Sequence, residues 1–124
     1  MGKRITQDDL YAARIFFNSA LPLLRVVIES RRELSSAFRG KSFVFQVSAL
    51  YPRAPGGKMA THFVVENGRF TVKVDAVHPS PDIELEFSDL HKFILFFSGR
   101  GMLLPRMRGV LKNAATFASL LRAL

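Results

Sequence analysis

The stretch PDIELEFSDLHKFILFFSGRGMLLPRMRGVLKNAATFASLL (residues 81–121) decides the fold because its apolar period changes along its length. The first part alternates, with Ile83, Leu85 and Phe87 on one side of a predicted strand. From Leu90 onward the apolar residues recur at helical spacing, and the short candidate strand RMRGVL and a last helix follow. This order of strand, helix, strand and helix predicts an α+β architecture.

The predicted helix that begins near Leu90 is more apolar than one buried face requires. Phe93, Ile94 and Phe97 extend a single apolar face, and a stripe about 100° wide is enough for an ordinary half-buried helix. Two further apolar residues point away from that face, and the tripeptide MLL follows shortly afterwards. The surplus predicts a second apolar surface here, either a cavity wall or an interface.

Three more strands are predicted upstream, which makes five in all. The run SFVFQVSAL alternates, with Phe43 and Phe45 on the same side, and two further alternating runs meet at Asn67–Gly68, a dipeptide that favours a type I′ hairpin turn. In the strand DIELEF, Glu84 and Glu86 are predicted to face solvent. The sheet is expected to be mostly antiparallel.

Helices are predicted at both ends of the chain. Thr6 and Asp9 have the spacing of an N-terminal capping box, and Pro22 is expected to break or kink the first helix. Ser88 and Asn113 are predicted to cap the two later helices. The expected buried stripes are Leu10, Ala13, Phe17, Ala20, Leu21 and Leu24; then Leu23, Val27, Leu34 and Phe38; and, in the last helix, Phe117, Leu120, Leu121 and Leu124.

Composition indicates one folded, basic domain. The chain has 124 residues, 48% of them hydrophobic, and a formal net charge of +8, which favours anionic partners. Residues 1–124 are expected to form a single domain, with helical segments over 1–38 and the sheet and C-terminal helices over 39–124. The chain has no cysteine, which excludes disulfides and thiol chemistry.

No motif in the sequence points to catalysis. His62, His78 and His91 lack metal-ligand spacing, and no serine lies in a nucleophile elbow. We therefore expect a protein that is not an enzyme, with no metal and no cofactor. The segment RGKSFVFQ partly follows an RNA-recognition signature, but Lys41 and Gln46 stand where stacking aromatics are required, so nucleic acid is not the expected partner.

Taken together, these segments resemble the sterol carrier protein type-two (SCP-2-like) lipid-binding domain family, in its bacterial single-domain form. The family pattern is an Asp that opens a strand, a Ser/Thr-Asp helix start, a Gly that ends that helix, a Gly-containing strand and a terminal amphipathic helix. The upstream hairpin HFVVENGRFTVKV also fits it. The corresponding positions here are Asp82, Ser88–Asp89, Gly99, Gly109 and the helix from Asn113.

The resemblance implies a fold and a site. The fold is a curved five-stranded, mostly antiparallel sheet covered by helices, with an apolar cavity between them for a fatty acyl, sterol-like or prenyl lipid. The function it implies is that of a non-enzymatic carrier. The residues expected to line the cavity are Phe43, Phe45, Phe70, Phe93, Phe97, Met102, Leu104, Phe117, Leu120 and Leu121.

The cations of the last quarter of the chain suggest a second contact surface. No Asp or Glu follows Asp89, whereas Arg100, Arg106, Arg108 and Lys112 adjoin the apolar residues 102–104. An apolar loop edged by cations is one way in which a protein meets an anionic membrane surface. No signal peptide is predicted, and the apolar N-terminal run is interrupted by polar residues and a proline. We therefore expect a cytoplasmic protein that is able to bind peripherally to a membrane surface.

An alternative function stays open at this stage. The surplus apolar residues are equally suited to a protein interface, in a homodimer or in an accessory subunit of a partner enzyme, for example in quinone or lipid biosynthesis.

Overall fold

The computed structural model describes residues 6–97 and 105–123, which form one sheet with helices packed on its inner face. The order is the predicted one: helices, four strands, a helix, one strand and a last helix. In chain order the elements are α1 (Gln7–Ile15), a π-helical turn (Phe16–Ala20), α2 (Leu23–Ser30), α3 (Arg32–Ala37), β1 (Phe43–Leu50), a 3₁₀ turn (Pro55–Gly57), β2 (Lys58–Glu66), β3 (Arg69–Lys73), β4 (Ile83–Phe87), α4 (Leu90–Phe97), β5 (Arg106–Arg108) and α5 (Ala114–Ala123).

The five strands lie in the order β3-β2-β1-β4-β5. β1 pairs with β4 in parallel, and the other three pairings are antiparallel. The predicted α+β fold with a five-stranded, mostly antiparallel sheet is therefore confirmed. Because β1 and β4 are parallel, the β2–β3 hairpin and the loop after it form the crossover between them.

The hairpin between β2 and β3 has the predicted turn. Asn67 and Gly68 have φ values of 52° and 82°, and a type I′ turn requires positive φ at both of its central residues. Gly68 is needed for a second reason. A Cβ atom at this position would lie 2.9 Å from the carbonyl oxygen of Phe38, so the turn packs directly on the chain after α3.

Phenylalanine rings hold the helices on the inner face of the sheet. The ring of Phe93 on α4 stacks on Phe17 of the π-helical turn, with centroids 4.3 Å apart and planes 5° from parallel. On the sheet itself, Phe45 and Phe63 stack at 5.9 Å. Parallel stacks and edge-to-face pairs each add about 1 kcal/mol to the stabilisation from burial alone.

The first helix begins at the predicted cap, and a π-helical turn interrupts it just before the predicted proline. The Thr6 hydroxyl accepts the Asp9 N–H, and Asp9 accepts the Thr6 N–H, both at 3.1 Å. Pro22 has no N–H to donate to the preceding turns. The chain forms a π-helical turn there, and the Thr61 hydroxyl donates to the carbonyl of Phe17 at 2.7 Å.

The buried residues of the N-terminal helices keep helical spacing across the π-helical turn, at Ala13, Phe17, Leu21, Leu24 and Ile28. Leu23 is 59% exposed, so the predicted stripe is wrong at Leu23. It is also wrong at Ala20, which is exposed. Both residues lie to one side of the buried face.

The helical run Gln7–Ser30 is long enough and apolar enough to cross a membrane. The polar residues and the proline within it had led us to expect no membrane span. In this fold one side of the run is core. Ala13 and Phe17 have no exposed surface, and Ile28 has 1%.

The caps of the two later helices differ in part from those predicted. Asp89, not Ser88, caps α4, because its Oδ1 atom accepts the N–H of Lys92 at 2.7 Å and the helix begins at Leu90. Asn113 directly precedes α5, but its side-chain Nδ2 donates to the carbonyl of Gly109 at 2.9 Å, so its side chain contacts the preceding loop and the predicted cap is wrong. The predicted helix end at Gly99 lies outside the described residues.

The buried face of α5 is turned away from one of the predicted residues. Phe117 and Leu120 are buried, whereas Leu121 is 48% exposed, so the prediction is wrong at Leu121. Thr116 and Ser119 are buried beside Phe117 and Leu120, so the buried face lies on their side of the helix and not on the side of Leu121. Leu124 lies outside the described residues.

Candidate functional site

Most of the predicted ligand-binding residues lie in one apolar layer between the sheet and the helices. β1 and β3 contribute residues from below, and α4 and α5 contribute residues from above. Phe97 ends α4, and Met102 and Leu104 lie outside the described residues. The buried members of the predicted set are Phe43, Phe45, Phe70, Phe93, Phe117 and Leu120.

Within the described part of the chain, three of these rings, Phe43, Phe70 and Phe45, belong to one series of ring contacts. Phe43 lies 6.2 Å from Phe70, and Phe38 meets Phe70 edge to face at 5.1 Å. Phe63 lies 6.3 Å from Phe70 and continues the series to Phe45. A ligand that enters this layer must therefore displace rings or enter beside them.

A cavity of about 400 Å³ opens beside this layer, at the point where β4 ends and α4 begins. We call it the β4–α4 pocket. Its apolar wall consists of Leu50, Phe87 and Pro105, and its polar rim consists of Glu86, Ser88, Lys92 and Arg106. Its volume lies within the range of about 300–1,000 Å³ that is usual for small-molecule sites.

The pocket is continuous with the phenylalanine layer through Phe87. The ring of Phe87 lies 5.4 Å from Phe93 and 5.2 Å from Phe96, so the wall of the pocket is also part of the interface between sheet and helix. Phe96, one of the surplus apolar residues of α4, therefore packs on the wall of the pocket.

The four predicted membrane-facing cations have different surroundings. Arg106 lies on the rim of the β4–α4 pocket, and Lys112 is exposed beside Leu111, which is 96% exposed. Arg108 instead forms an ion pair with Glu86, with 3.3 Å between Nη2 and Oε1. Arg100 lies outside the described residues.

The outer face of the sheet holds a buried polar cluster that the sequence analysis missed. Glu84 and Glu86 were predicted to face solvent, but they are 2% and 8% exposed, so that prediction is wrong. Glu84 Oε2 accepts hydrogen bonds from Ser48 at 2.7 Å, Gln46 at 2.8 Å and Lys58 at 3.0 Å. Ser48 and Gln46 belong to β1, which lies beside β4, and Lys58 belongs to β2, the next strand.

A sequence signal for this cluster did exist. Acids alternate in β4, at 84 and 86, and bases alternate in β5, at 106 and 108. The register places Glu84 opposite Arg108 and Glu86 opposite Arg106. Complementary alternation of this kind indicates paired strands.

Glu84 is charged at neutral pH. Burial raises the pKa of Glu84. The hydrogen bonds from Ser48, Lys58 and Gln46 and the charge of Lys58 together lower it by more, so the pKa lies below its ordinary value of 4.5. Every buried polar side-chain atom of the described residues has a hydrogen-bond partner. The cluster therefore stabilises the outer face of the sheet.

The histidines take part in local contacts. His62 Nδ1 lies 2.7 Å from the carbonyl of Ala76, and His78 Nδ1 accepts the N–H of Ser80 at 3.0 Å. His91 Nδ1 lies 3.5 Å from Asp9 Oδ1. In residues 6–97 and 105–123, no three His, Asp or Glu side chains come together as a metal site.

Comparison with solved structures shows which fold this is. The chain is similar to a conserved hypothetical protein of Thermus thermophilus that its description links to sterol carrier proteins, with a TM-score of 0.54, 14% identity, and coverage of 98% of this chain and 87% of the other. It is also similar to sterol carrier protein 2, with a TM-score of 0.53, 14% identity and 95% coverage of both chains. The chain therefore has an SCP-2-like fold, as its sequence resemblance implied.

A third similarity concerns part of a larger protein. A double mutant of the sec-alkyl sulfatase PisA1 matches 87% of this chain with a TM-score of 0.53, but the match covers 17% of the sulfatase. No protein-family model and no curated protein sequence matches the chain.

Proposed function

We propose that this protein is a water-soluble, non-enzymatic carrier that binds a long apolar ligand, of the fatty acyl, sterol-like or prenyl class, between its sheet and its helices. The observation that carries the proposal is the β4–α4 pocket, whose apolar wall continues into the phenylalanine layer through Phe87. The SCP-2-like fold supports the same function, since sterol carrier protein 2 is named for sterol carriage.

The energetics allow useful affinity for such a ligand. Burial of one methylene group contributes about 0.8 kcal/mol. For a chain of sixteen carbons, the sum exceeds the cost of ordering the ligand and the side chains around it, and we expect a Kd near or below about 1 µM. The proposed path places the end of the chain among the rings of α4 and the sheet. The predicted residues Phe97, Met102 and Leu104 are proposed to belong to the same path.

A tryptophan reporter tests this function directly. The chain has no tryptophan. Leu50 on the wall of the pocket and Val74 after β3 are 42% and 44% exposed, so both positions tolerate a larger side chain. We expect hexadecanol, a neutral ligand, to shift the emission of a Leu50→Trp variant to the blue and to leave that of a Val74→Trp variant unchanged. If both folded variants fail to respond, the proposal is wrong.

A second candidate function has its own observation. The exposed side of the N-terminal helices carries large apolar residues, namely Tyr11 at 71%, Ile15 at 48%, Leu23 at 59% and Val26 at 57% exposure. An accessory subunit or a homodimer would cover such a surface. Light scattering that shows a dimer at every concentration, in protein that binds no hexadecanol, would favour this candidate over the carrier.

A further inference from the structure

β5 is the edge strand of the sheet beyond β4, and all three of its residues, Arg106–Arg108, are exposed. In residues 6–97 and 105–123, no strand pairs with its outer edge. An open edge presents N–H and C=O groups that are able to pair with an added strand. β5 therefore offers the backbone groups that an extended segment of another protein requires.

The strand register shows which backbone groups of β5 face outward. The Asp82 N–H donates to a carbonyl of β1, so the even-numbered residues along β4 bond β1 and Leu85 faces β5. Leu85 lies opposite Met107, and this pair therefore makes the backbone bonds between β4 and β5. The N–H and C=O groups of Arg106 and Arg108 consequently point away from the sheet.

The same two residues give this edge positive charge. Arg108 forms an ion pair with Glu86 at 3.3 Å, but half of its side chain (51%) stays exposed. Among the described residues, Arg106 forms no ion pair with a carboxylate. No Asp or Glu follows Asp89 in the sequence, so the chain adds no acid beyond this strand.

Apolar side chains lie next to the two arginines. Met107 is 39% exposed and Leu111 is 96% exposed, and both line an open cavity of about 540 Å³ at the end of β5. Because side chains alternate between the faces of a strand, a partner whose acids lie opposite the arginines places the residue between them on the side of Met107. An alternation of acidic and apolar residues matches this edge.

A second copy of this chain does not match it. Antiparallel pairing of two β5 strands would place Arg106 of one copy opposite Arg108 of the other. The other edge strand, β3, is also basic, with Arg69 and Lys73 exposed. Like charges directly opposite one another destabilise a strand pair. The edge therefore favours an acidic partner over self-association.

β4 shows within the structure what kind of strand β5 accepts. Its residues Glu84, Leu85 and Glu86 lie opposite the three residues of β5 in antiparallel register. An acid thus faces each arginine, and an apolar residue faces Met107. The inner edge of β5 is occupied by this pattern, and the outer edge presents the same side chains.

We propose that the open edge of β5 is a docking site for an extended segment of a partner protein in which acidic and apolar residues alternate. The segment adds to the sheet as a sixth strand, antiparallel to β5. Backbone bonds at Arg106 and Arg108 supply affinity, and the acids opposite these arginines supply specificity. This interaction does not depend on the proposed carrier function.

A labelled peptide tests the proposal. The probe is DIELEF, the sequence of residues 82–87, with Gly-Ser flanks and a fluorescein label, and the control is DEEILF, which has the same composition without the alternation. By fluorescence polarisation we expect a Kd near about 100 µM for the probe and binding at least about tenfold weaker for the control. In NMR spectra, the amide signals of Arg106 and Arg108 should shift when the probe binds.

Two substitutions at one position separate backbone pairing from charge. Arg106→Gln removes the charge and keeps the N–H group, so we expect binding about threefold weaker. Arg106→Pro also removes the outward N–H group and spares the pairing of Leu85 with Met107, so binding of the probe should be lost. Arg69→Gln removes one exposed charge from β3, at the other edge of the sheet, and should bind the probe normally.

Modified peptides keep the test decisive if circular dichroism shows that Arg106→Pro is unfolded. In the antiparallel arrangement, the amides of the two peptide glutamates face β5. Methylation of these two peptide nitrogens should abolish binding, whereas methylation of the isoleucine and leucine nitrogens should leave it intact.

Several results would overturn the proposal. One is equal binding of DIELEF and DEEILF, which would indicate attraction by net charge alone. Others are unchanged binding by a folded Arg106→Pro variant, or amide shifts that spare Arg106 and Arg108. Absence of binding at about 1 mM probe would mean that the arginines of β5 only keep other strands away from this edge.

Discussion

At the residue scale, Glu84 connects two neighbouring strands through a single carboxylate. It accepts from Ser48 and Gln46 of β1, which lies beside β4, and from Lys58 of β2. A buried carboxylate is stable only when its charge is compensated and its lone pairs are occupied. Both conditions hold here, so we expect Glu84 to contribute to stability at neutral pH and not at acid pH.

The variant Glu84→Gln tests this expectation. At pH 7 it should lower the free energy of unfolding by about 2 kcal/mol, because it leaves the Lys58 ammonium with one carboxylate instead of two. The folded-state pKa of Glu84 is depressed, so its contribution is present above the ordinary pKa of 4.5 and is lost as the pH falls through the lower folded value.

Thermal unfolding at a series of pH values measures the effect. The difference between the unmodified protein and Glu84→Gln should be full at pH 7 and should shrink below pH 4.5. Glu66→Gln, at an exposed glutamate of β2, serves as the control and should change little at any pH. A difference for Glu84→Gln that does not vary with pH would contradict this account of the cluster.

Thr61 is a second residue whose role is visible only in the folded chain. Its hydroxyl donates to the Phe17 carbonyl, which the π-helical turn leaves available. Thr61→Val keeps the shape of the side chain but removes both the donor to Phe17 and the acceptor of the Asp75 N–H, so we expect a loss of about 1–3 kcal/mol in denaturant unfolding. Thr71→Val, at an exposed position of β3, should lose less than about 0.5 kcal/mol. Equal losses in the two variants would show that the bond to Phe17 is unimportant.

At the element scale, local sequence predicted the strands and turns well and the π-helical turn poorly. The β2–β3 hairpin follows from alternation and from Asn67–Gly68, both of which are local signals. At the π-helical turn, the Phe17 carbonyl is bonded by the hydroxyl of Thr61, which lies 44 residues further along the chain. No spacing rule within the helix predicts that contact. The burial of Glu84 and Glu86 likewise depends on which strands are neighbours.

The junction of β5 and α5 depends on the close approach of a glycine to β4. Gly109 and Gly40 both have φ of +76°, but a Cβ atom would meet the Asp82 carbonyl at Gly109 and open space at Gly40. Gly40→Ala should therefore cost about 1 kcal/mol from backbone strain alone. Gly109→Ala should cost about 3 kcal/mol or more, because the chain must also separate from β4.

Denaturant unfolding of the two glycine variants isolates the steric part of this cost. Since the φ values are equal, the difference between the variants reports the contact with Asp82. A Gly109→Ala variant as stable as Gly40→Ala would mean that β5 does not pack on β4 as described.

At the scale of the whole molecule, the resemblance of residues 81–121 to the SCP-2-like family anticipated the fold. The sheet order and the parallel pairing of β1 with β4 are non-local, and they were not among the predictions made from the sequence or from the resemblance. The candidate site could be predicted only as an apolar layer. The pocket itself arises because Leu50, Phe87 and Pro105 meet at one edge of the sheet, where three segments distant in the sequence come together.

The charge of the molecule and its apolar layer are combined at this edge. The net charge of +8 results from many scattered cations, but at the β4–α4 pocket two of them lie beside an apolar wall. At this edge, exposed positive charge and an apolar wall therefore lie side by side.

The most direct test of the central claim is native mass spectrometry of the gently purified, unmodified protein, followed by solvent extraction and identification of any bound molecule. The carrier account predicts a co-purifying lipid or prenyl compound at about one molecule per chain, or, in emptied protein, uptake of one added hexadecanol or hexadecanoate. A compact protein that carries no such molecule and takes up neither compound would contradict the account.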